Sequence, residues 1–353
     1  MPIPRILFGS LFLSFLLCLP CQVFAQSEDI SPVRKAELDS LVHRISALAE
    51  EFYISQDTGQ LMGELLQEKL VAGAYADLSH PDSLARRLTR DLRSVNGDLH
   101  MYVEAIPPGD RQSNDSSHIL VDRRGAWSNY GFQKTEILDG NIGYIKVSHF
   151  TSWRHFEAAQ VIIQQAIKNI EQTDALIVDL RANGGGFEEI VAYMISYFFD
   201  GEVIHLSDYY CRHDDNRSSI YTQADVPGKK LPDLPLYILI DKKTGSAAES
   251  FAYMLKHLDR AMVIGERSAG AGNGASQHRA ADRFLLTVAC QQSINAVTQT
   301  SFEKQGVIPH IETSSSEARN TAYKLALEQL RDKEGNEIHP VNYDRIIDGL
   351  EPK

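Results

Sequence analysis

The chain has 353 residues, with 35 Lys and Arg against 47 Asp and Glu, so its formal net charge is −12 at pH 7. An acidic protein repels phosphate groups, which argues against nucleic acid or an anionic membrane as its main partner. The length is sufficient for one large α/β domain and a smaller helical one.

The N-terminus has the pattern of a secretory signal peptide. One Arg precedes an apolar run over residues 6–24, which Pro20 interrupts and which ends at the small residue Ala25. This pattern predicts that residues 1–25 are removed and that the mature chain is secreted or periplasmic, with no integral membrane segment. A retained membrane anchor is the alternative, and Pro20 disfavours it. Lipoprotein processing at Cys21 is also disfavoured, because Leu19-Pro20 replaces the small residues of such a site.

The remaining cysteines, Cys211 and Cys290, are too far apart in sequence for a CxxC redox or zinc motif. They could pair in an oxidising compartment, and the sequence leaves this open.

Residues 26–97 have the apolar spacing of helices. Leucine, isoleucine and valine recur every three or four positions in three successive runs. We predict a small N-terminal bundle of three amphipathic helices, which ends at Asn96-Gly97 and whose charged faces are solvated.

Residues 98–331 show strand and helix patterns in alternation. Apolar runs predict strands at 101–103, 132–138, 142–147, 175–180, 236–240, 260–265 and 284–290, and helical spacing predicts helices at 153–170, 187–199, 247–257 and 316–331. This alternation is typical of a mainly parallel sheet with crossover helices. Segments 106–118, 214–230 and 268–276 are predicted loops, and we assign no function to the polar tail at 332–353.

Three consecutive glycines, Gly184–Gly186, come directly after the predicted strand at 175–180. Such a backbone can direct several N–H groups at one anion, although a plain tight turn is the alternative. The loop lacks the Gly-Lys-Ser/Thr of a phosphate loop and the Gly-x-Gly-x-x-Gly spacing of a dinucleotide site. We therefore predict neither a cofactor nor a metal ion.

Ser246 lies at a predicted strand-to-helix turn. A hydroxyl at a helix N-terminus has free backbone N–H groups beside it, which could stabilise a developing oxyanion. Alternatively, Ser246 is only an N-cap, since Glu249 three positions later completes a capping box. His100 lies on the connection between the helical part and the first strand, where a histidine is most often an ordinary loop residue.

In combination, these segments resemble the tail-specific, or C-terminal processing, serine peptidases. The segments are, in order, DLH, GNIGYIKVSHF, LIVDLRANGGG, TGSAAESFAYMLK, RAMVIGE and FEKQGVIP. The branch that is most similar contains the tricorn-like peptidases and the modules of interphotoreceptor retinoid-binding protein. The resemblance implies a crotonase-like α/β fold after the helical bundle, and peptides or proteins as substrates.

The resemblance also assigns roles to individual residues. Ser246 matches the nucleophile, His100 the general base, and Glu303 the acid that supports this base. Backbone N–H groups of Ala247 and of Gly185, or its neighbour Gly184, would form the oxyanion hole. A serine hydroxyl needs such a base, and the base needs a third group to hold its tautomer.

Two departures from the family pattern affect these roles. Ala271 stands where the bacterial processing branch has a catalytic lysine, so Ser-His-Glu is the arrangement that remains. Leu99 stands where the tricorn type has a serine that links the histidine to the glutamate. The contact between His100 and Glu303 could then be direct, or could run through a water molecule or another hydroxyl. The spacing between His100 and Phe132 is too short for a PDZ domain.

Two other functions are open at the level of sequence. Modules of the retinoid-binding branch suggest a protein that carries lipid-like or retinoid-like ligands without cleaving anything. A catalytically idle scaffold is the third possibility, and its mark would be a large separation between His100 and Ser246.

Overall fold

The computed structural model describes residues 32–106, 128–334 and 341–350. The predicted signal peptide, and nearly all of the predicted loop at 106–118, lie outside these residues. No helix within the described part of the chain is both long and apolar enough to span a membrane.

Three helices form the N-terminal part: α1 (Lys35–Phe52), α2 (Gln56–Val71) and α3 (Pro81–Asn96). The apolar residues of α1 that the sequence places on one face are buried. Helix α3 starts with proline, whose missing N–H costs nothing in the first turn. It ends at Gly97, whose φ of 79° is the left-handed conformation that terminates many helices.

Within the described residues, the larger sheet consists of the strands β2 (Phe132–Leu138), β3 (Ile142–Val147), β4 (Ala175–Asp179), β7 (Leu236–Ile240), β8 (Met262–Gly265) and β11 (Ile311–Glu312). Their order across the sheet is β11-β8-β7-β4-β3-β2. All neighbouring pairs are parallel except the β2–β3 hairpin. The predicted mixed sheet with mainly parallel pairing is confirmed.

Helices cover both faces of this sheet. On one face lie α4 (Phe156–Ile170), α5 (Glu188–Ile195) and α6 (Ala247–His257), and on the other α7 (Ala318–Glu334) and α8 (Tyr343–Asp348). Alternate residues of each central strand therefore enter opposite cores: Ile238 packs with the first group of helices, and Leu239 with the second.

The second sheet is antiparallel and contains β1 (Tyr102–Ala105), β5 (His205–Cys211), β6 (Asn216–Tyr221), β9 (Gly274–Ala281) and β10 (Phe284–Asn295). Its apolar face shares one hydrophobic cluster with helices α1–α3. The sequence predicted β1 and most of β10. It missed β5, and it treated β6 and the start of β9 as loops. β6 is almost entirely exposed, so pairing with β5 holds it without an apolar pattern. Cys211 and Cys290 are free thiols.

Candidate active site

The turn that carries Ser246 joins β7 to α6. Thr244 accepts a hydrogen bond from the backbone N–H of Asp241 at 2.9 Å, and its hydroxyl donates to the carbonyl of Leu180 at 2.9 Å. The next N–H, of Gly245, donates to the carbonyl of Asn183 at 2.9 Å. The turn is thus fixed to the end of β4 and to the glycine-rich loop.

Ser246 has φ of 53° and ψ of −128°, a region that residues other than glycine seldom occupy. An ordinary N-cap has extended backbone angles instead. The buried carboxylate of Glu249 accepts the N–H of Ser246 at 2.9 Å and also the N–H groups of Gly270 and Ala271, at 2.6 and 2.8 Å. Glu249 therefore holds the strained turn, and its pairing with Ser246 forms the capping box that the sequence indicated.

The hydroxyl of Ser246 faces His100. The distance from Ser246 Oγ to His100 Nε2 is 3.1 Å, although the two residues are 146 positions apart. Nε2 can therefore accept the hydroxyl proton in a direct hydrogen bond. A catalytically idle scaffold would have a large distance between His100 and Ser246, so this short distance argues against that hypothesis.

Two charged residues fix the backbone around His100. The carboxylate of Asp98 accepts the N–H of His100 at 2.8 Å, as well as the Tyr53 hydroxyl at 3.0 Å. The guanidinium of Arg93 donates to the carbonyls of Leu99, at 2.6 Å, and Met101, at 2.9 Å. The histidine is thus held on both sides by side chains from the end of the helical part.

Burial lowers the pKa of His100, and the positive charge of Arg93 lowers it further, against an opposing effect from Asp98. The imidazole is therefore neutral at pH 7, which is the form that a general base needs.

Glu303 lies beside this segment. Its Oε2 accepts the N–H groups of Gly272, at 2.7 Å, and Asn273, at 3.2 Å. Burial raises the pKa of Glu303 to about 7, and the nearby carboxylate of Asp98 contributes to this rise. Asn273 Nδ2 also donates to Asp98 at 2.9 Å, so the two carboxylates share one neighbourhood.

Glu303 and His100 each have one buried side-chain atom that accepts or donates no hydrogen bond within the described part of the chain. Among the described residues, neither Glu303 Oε1 nor His100 Nδ1 has a hydrogen-bond partner. When Nε2 accepts a proton from serine, Nδ1 must carry hydrogen and needs an acceptor. The two atoms are chemically complementary, but no direct hydrogen bond joins them.

The glycine-rich loop adjoins Ser246. A Cβ built on Gly185, whose φ is 105°, would lie 2.6 Å from Ser246 Cβ and 2.9 Å from the nitrogen of Ala247. The N–H of Gly185 donates to Asn183 Oδ1 at 2.9 Å. By contrast, the N–H groups of Gly184 and Ala247 donate to no group that the structure describes.

These elements enclose a cleft of about 790 Å³ that contains Ser246, His100, Gly184 and Ala247. Further walls come from α5 and from strands β5, β6 and β9. Most of the residues that line the cleft are glycines or have polar or charged side chains.

Sequence reasoning missed the residues that support this site. Arg93, Asp98, Asn183 and Asn273 have no role in the expected triad. The side chains of Arg93 and Asp98 hold the segment of His100, and that of Asn273 donates to Asp98. The side chain of Asn183 accepts the N–H of Gly185 in the glycine-rich loop. One signal was available for Asp98: an aspartate whose side chain accepts the N–H two residues later makes a common local turn.

Comparisons with known proteins identify a peptidase family. A family model described as "Peptidase family S41" matches residues 141–313. A second model, described as "N-terminal domain of Peptidase_S41 in eukaryotic IRBP", matches residues 22–126.

Two curated relatives are processing enzymes by name. The carboxyl-terminal-processing protease of a Picosynechococcus species is 29% identical over 157 residues, which cover 44% of this chain and 35% of that protein. The chloroplastic carboxyl-terminal-processing peptidase 2 of Arabidopsis thaliana is 30% identical over 171 residues, which cover 48% of this chain and 31% of that protein. The matched region thus spans about a third of each relative.

A solved structure of a lipoprotein from Streptococcus agalactiae has the same fold. It superposes with a TM-score of 0.58 at 17% identity, and the match covers 83% of this chain and 96% of that chain.

Proposed function

We propose that this chain, which belongs to peptidase family S41, hydrolyses peptide bonds through an acyl-enzyme on Ser246. The observation that carries the proposal is the 3.1 Å separation between Ser246 Oγ and His100 Nε2 at a strained strand-to-helix turn. Strain of this kind at a turn is often part of a catalytic arrangement.

In the first step, His100 Nε2 takes the proton of Ser246 Oγ as this oxygen attacks the carbonyl carbon of the substrate. The resulting oxyanion accepts hydrogen bonds in the hole expected from Gly184, Gly185 and Ala247. Of these, the N–H groups of Gly184 and Ala247 donate to no described residue and so are available to the substrate. Gly185 contributes mainly by letting the loop approach Ser246 closely, because its own N–H is bound to Asn183.

His100 then gives the proton to the leaving nitrogen, and the C–N bond breaks. A water molecule then hydrolyses the acyl-enzyme in the same two stages. Its proton passes to Nε2 while its oxygen attacks the ester carbon. The bond to Oγ then breaks, and the proton returns from Nε2 to Ser246. Glu303 supports the imidazolium in both steps. We assign this role because Glu303 Oε1 is a buried acceptor that lacks a partner among the described residues. Asp98 and Asn273 connect the two residues: Asp98 accepts the N–H of His100 and Nδ2 of Asn273, and the backbone N–H of Asn273 donates to Glu303.

The alternative function, carriage of hydrophobic ligands, is not favoured. A carrier for lipid-like molecules has no need of a histidine in contact with a serine hydroxyl, whereas His100 Nε2 lies 3.1 Å from Ser246 Oγ in this cleft.

The proposal extends to the whole chain. Residues 1–25 would direct export to the periplasm or outside the cell, and the helical part at 26–97 would precede a crotonase-like peptidase domain at 98–331. N-terminal sequencing of the exported protein should show Gln26 as its first residue, and retention of residues 1–25 would refute the cleavage.

Hydrolysis is tested with a denatured protein and an unbiased peptide mixture, whose products are identified by mass spectrometry. We expect wild type to cleave peptide bonds and Ser246→Ala to lose at least about 10⁴-fold in rate. The products also distinguish internal from carboxy-terminal cleavage. Equal cleavage by wild type and Ser246→Ala would refute the proposal, and so would no cleavage by folded wild type.

A further inference from the structure

One carboxylate in the cleft has no role in the chemistry above. Glu188 is the first residue of α5, directly after the glycine-rich loop, and it lines the same cleft as Ser246. Its Oε1 is buried and has no hydrogen-bond partner among the described residues. The described residues also include no lysine or arginine in an ion pair with it.

The position of Glu188 relative to the nucleophile follows from helix α6. The N–H of Ser250 donates to the carbonyl of Ser246 at 3.0 Å, so Ser250 lies one helical turn below the nucleophile. Glu188 interacts with the side chains of Ser250 and, from β5, Tyr209. Residues one turn apart on a helix have Cβ atoms about 5–6 Å apart. Glu188 is therefore within a long side chain's reach of Ser246.

The electrostatic surroundings of Glu188 indicate what kind of ligand group it would bind. Burial raises the pKa of Glu188 to about 7, and the adjacent Glu189 raises it further, while Ser250 and Tyr209 oppose the rise by hydrogen bonding. A buried carboxylate is costly unless it has a counter-charge. A cationic ligand group would supply this charge and pair with Oε1.

We infer that Glu188 is a specificity-determining residue that binds the cationic side chain of lysine or arginine at the substrate residue whose carbonyl is attacked, P1. The P1 side chain is attached to the Cα atom next to the attacked carbonyl carbon, so its first atoms lie close to Ser246. The long stem of lysine or arginine would pass Ser250 and place its charge at Glu188. This inference rests on the proposed peptidase function.

The test compares peptidyl phosphonates that acylate active-site serines and differ only at P1: lysine, arginine, norleucine, glutamine and glutamate. A small uncharged fluorophosphonate is applied first, as a measure of serine reactivity alone. We expect wild type to react about 10- to 100-fold faster with lysine or arginine than with norleucine. Glu188→Gln should abolish this preference while it keeps the reaction with the small probe.

Glu157→Gln is the matched control. Like Glu188, Glu157 lies in the first turn of a helix, but it is exposed and does not line the cleft, so its variant should keep the wild-type preference. If Glu188→Gln does not fold, the P1 profile of wild type still decides the matter, because a profile without a cationic preference overturns the inference. Failure of the small probe to label Ser246 would instead refute the peptidase function. A cationic preference at another substrate position, or one that survives in Glu188→Gln, also overturns the assignment.

Discussion

At the scale of single residues, Ser246 combines two features with opposite effects on the protein. Its φ of 53° is unfavourable for a residue with a side chain, and such strain costs about 1–3 kcal/mol. Its hydroxyl lies 3.1 Å from the base. Selection for folding alone would favour glycine at this position, so the serine is retained at a cost in stability.

Replacing Ser246 should therefore separate stability from reactivity. We expect the free energy of unfolding of Ser246→Gly to exceed that of Ser246→Ala by about 1 kcal/mol, because glycine accepts the positive φ. Both variants should be unreactive. Ser250, inside α6, provides the control: there glycine should be less stable than alanine by about 1 kcal/mol. Urea unfolding measures these free energies. If alanine is more stable than glycine at both positions, the backbone of Ser246 is not strained.

Glu303 gives a prediction about pH. Its pKa rises to about 7 in the folded protein, above the ordinary value of 4.5, so the folded state binds its proton more tightly than the unfolded state. This proton stabilises the fold below pH 4.5, and the stabilisation is lost as the pH rises through 7.

Glu303→Gln should accordingly have a higher free energy of unfolding than wild type at pH 8, by roughly 1–3 kcal/mol, and an equal one near pH 4. Glutamine can still accept the N–H groups of Gly272 and Asn273. Urea unfolding at several pH values measures the difference. If the difference in unfolding free energy between Glu303→Gln and wild type does not change with pH, the ionised Glu303 does not destabilise the folded protein.

At the scale of elements, the glycine-rich loop and the β7–α6 turn act as one unit. Gly185 approaches Ser246 so closely that a Cβ would lie 2.6 Å from the serine Cβ, whereas a Cβ on Gly184 would meet no atom within 4 Å. The loop is positioned through Asn183, which binds Gly185 and Gly245. The proposed oxyanion hole would therefore depend on contact between the two loops, not on either one alone.

Gly185→Ala should lower both the thermal unfolding temperature and the rate at which a fluorophosphonate labels Ser246, since the loop must move away from the turn. Gly184→Ala should leave the unfolding temperature close to that of wild type and keep the backbone N–H. Equal labelling rates in the two variants would contradict the proposed role of the loop contact.

The elements that the sequence predicts are those with an apolar period. Strands β2, β3 and β7 and helix α6 have the predicted bounds, because burial requires apolar side chains at regular spacing. Strand β6 is held by backbone pairing, so its polar residues carry no such signal. The site shows a similar division. Ser246 and His100 lie in recognisable motifs and could be proposed from the sequence, whereas the support from Arg93 and Asn183 depends on contacts that only the folded chain forms.

At the scale of the whole molecule, the proposed catalytic residues come from different layers. Ser246 belongs to the larger sheet, while His100 lies where the N-terminal helices meet the smaller one. Helices α1–α3 and this smaller sheet share a hydrophobic cluster. Tyr53, at the end of α1, donates to Asp98, which in turn holds His100. The position of His100 is thus coupled to the packing of the helical part.

Tyr53→Phe should test this coupling. The buried carboxylate of Asp98 would lose a donor, so we expect a loss of stability of about 1–3 kcal/mol and slower labelling of Ser246. Tyr75→Phe is the matched control, because Tyr75 is equally buried at 1% exposure and donates to Asp91 within the helical part. It should cost similar stability but leave labelling under native conditions unchanged. Equal labelling by both variants would contradict the coupling.

The central claim is that His100 activates Ser246, and the labelling rate of Ser246 by a small fluorophosphonate as a function of pH tests it most directly. We predict that the rate for wild type rises with an apparent pKa below 6.5, because burial lowers the pKa of the base. His100→Ala should be slower by about 10²–10⁴-fold, while His257→Ala, at the far end of α6, should match wild type. Labelling of His100→Ala at the wild-type rate, or no labelling of Ser246 at any pH, would contradict the account.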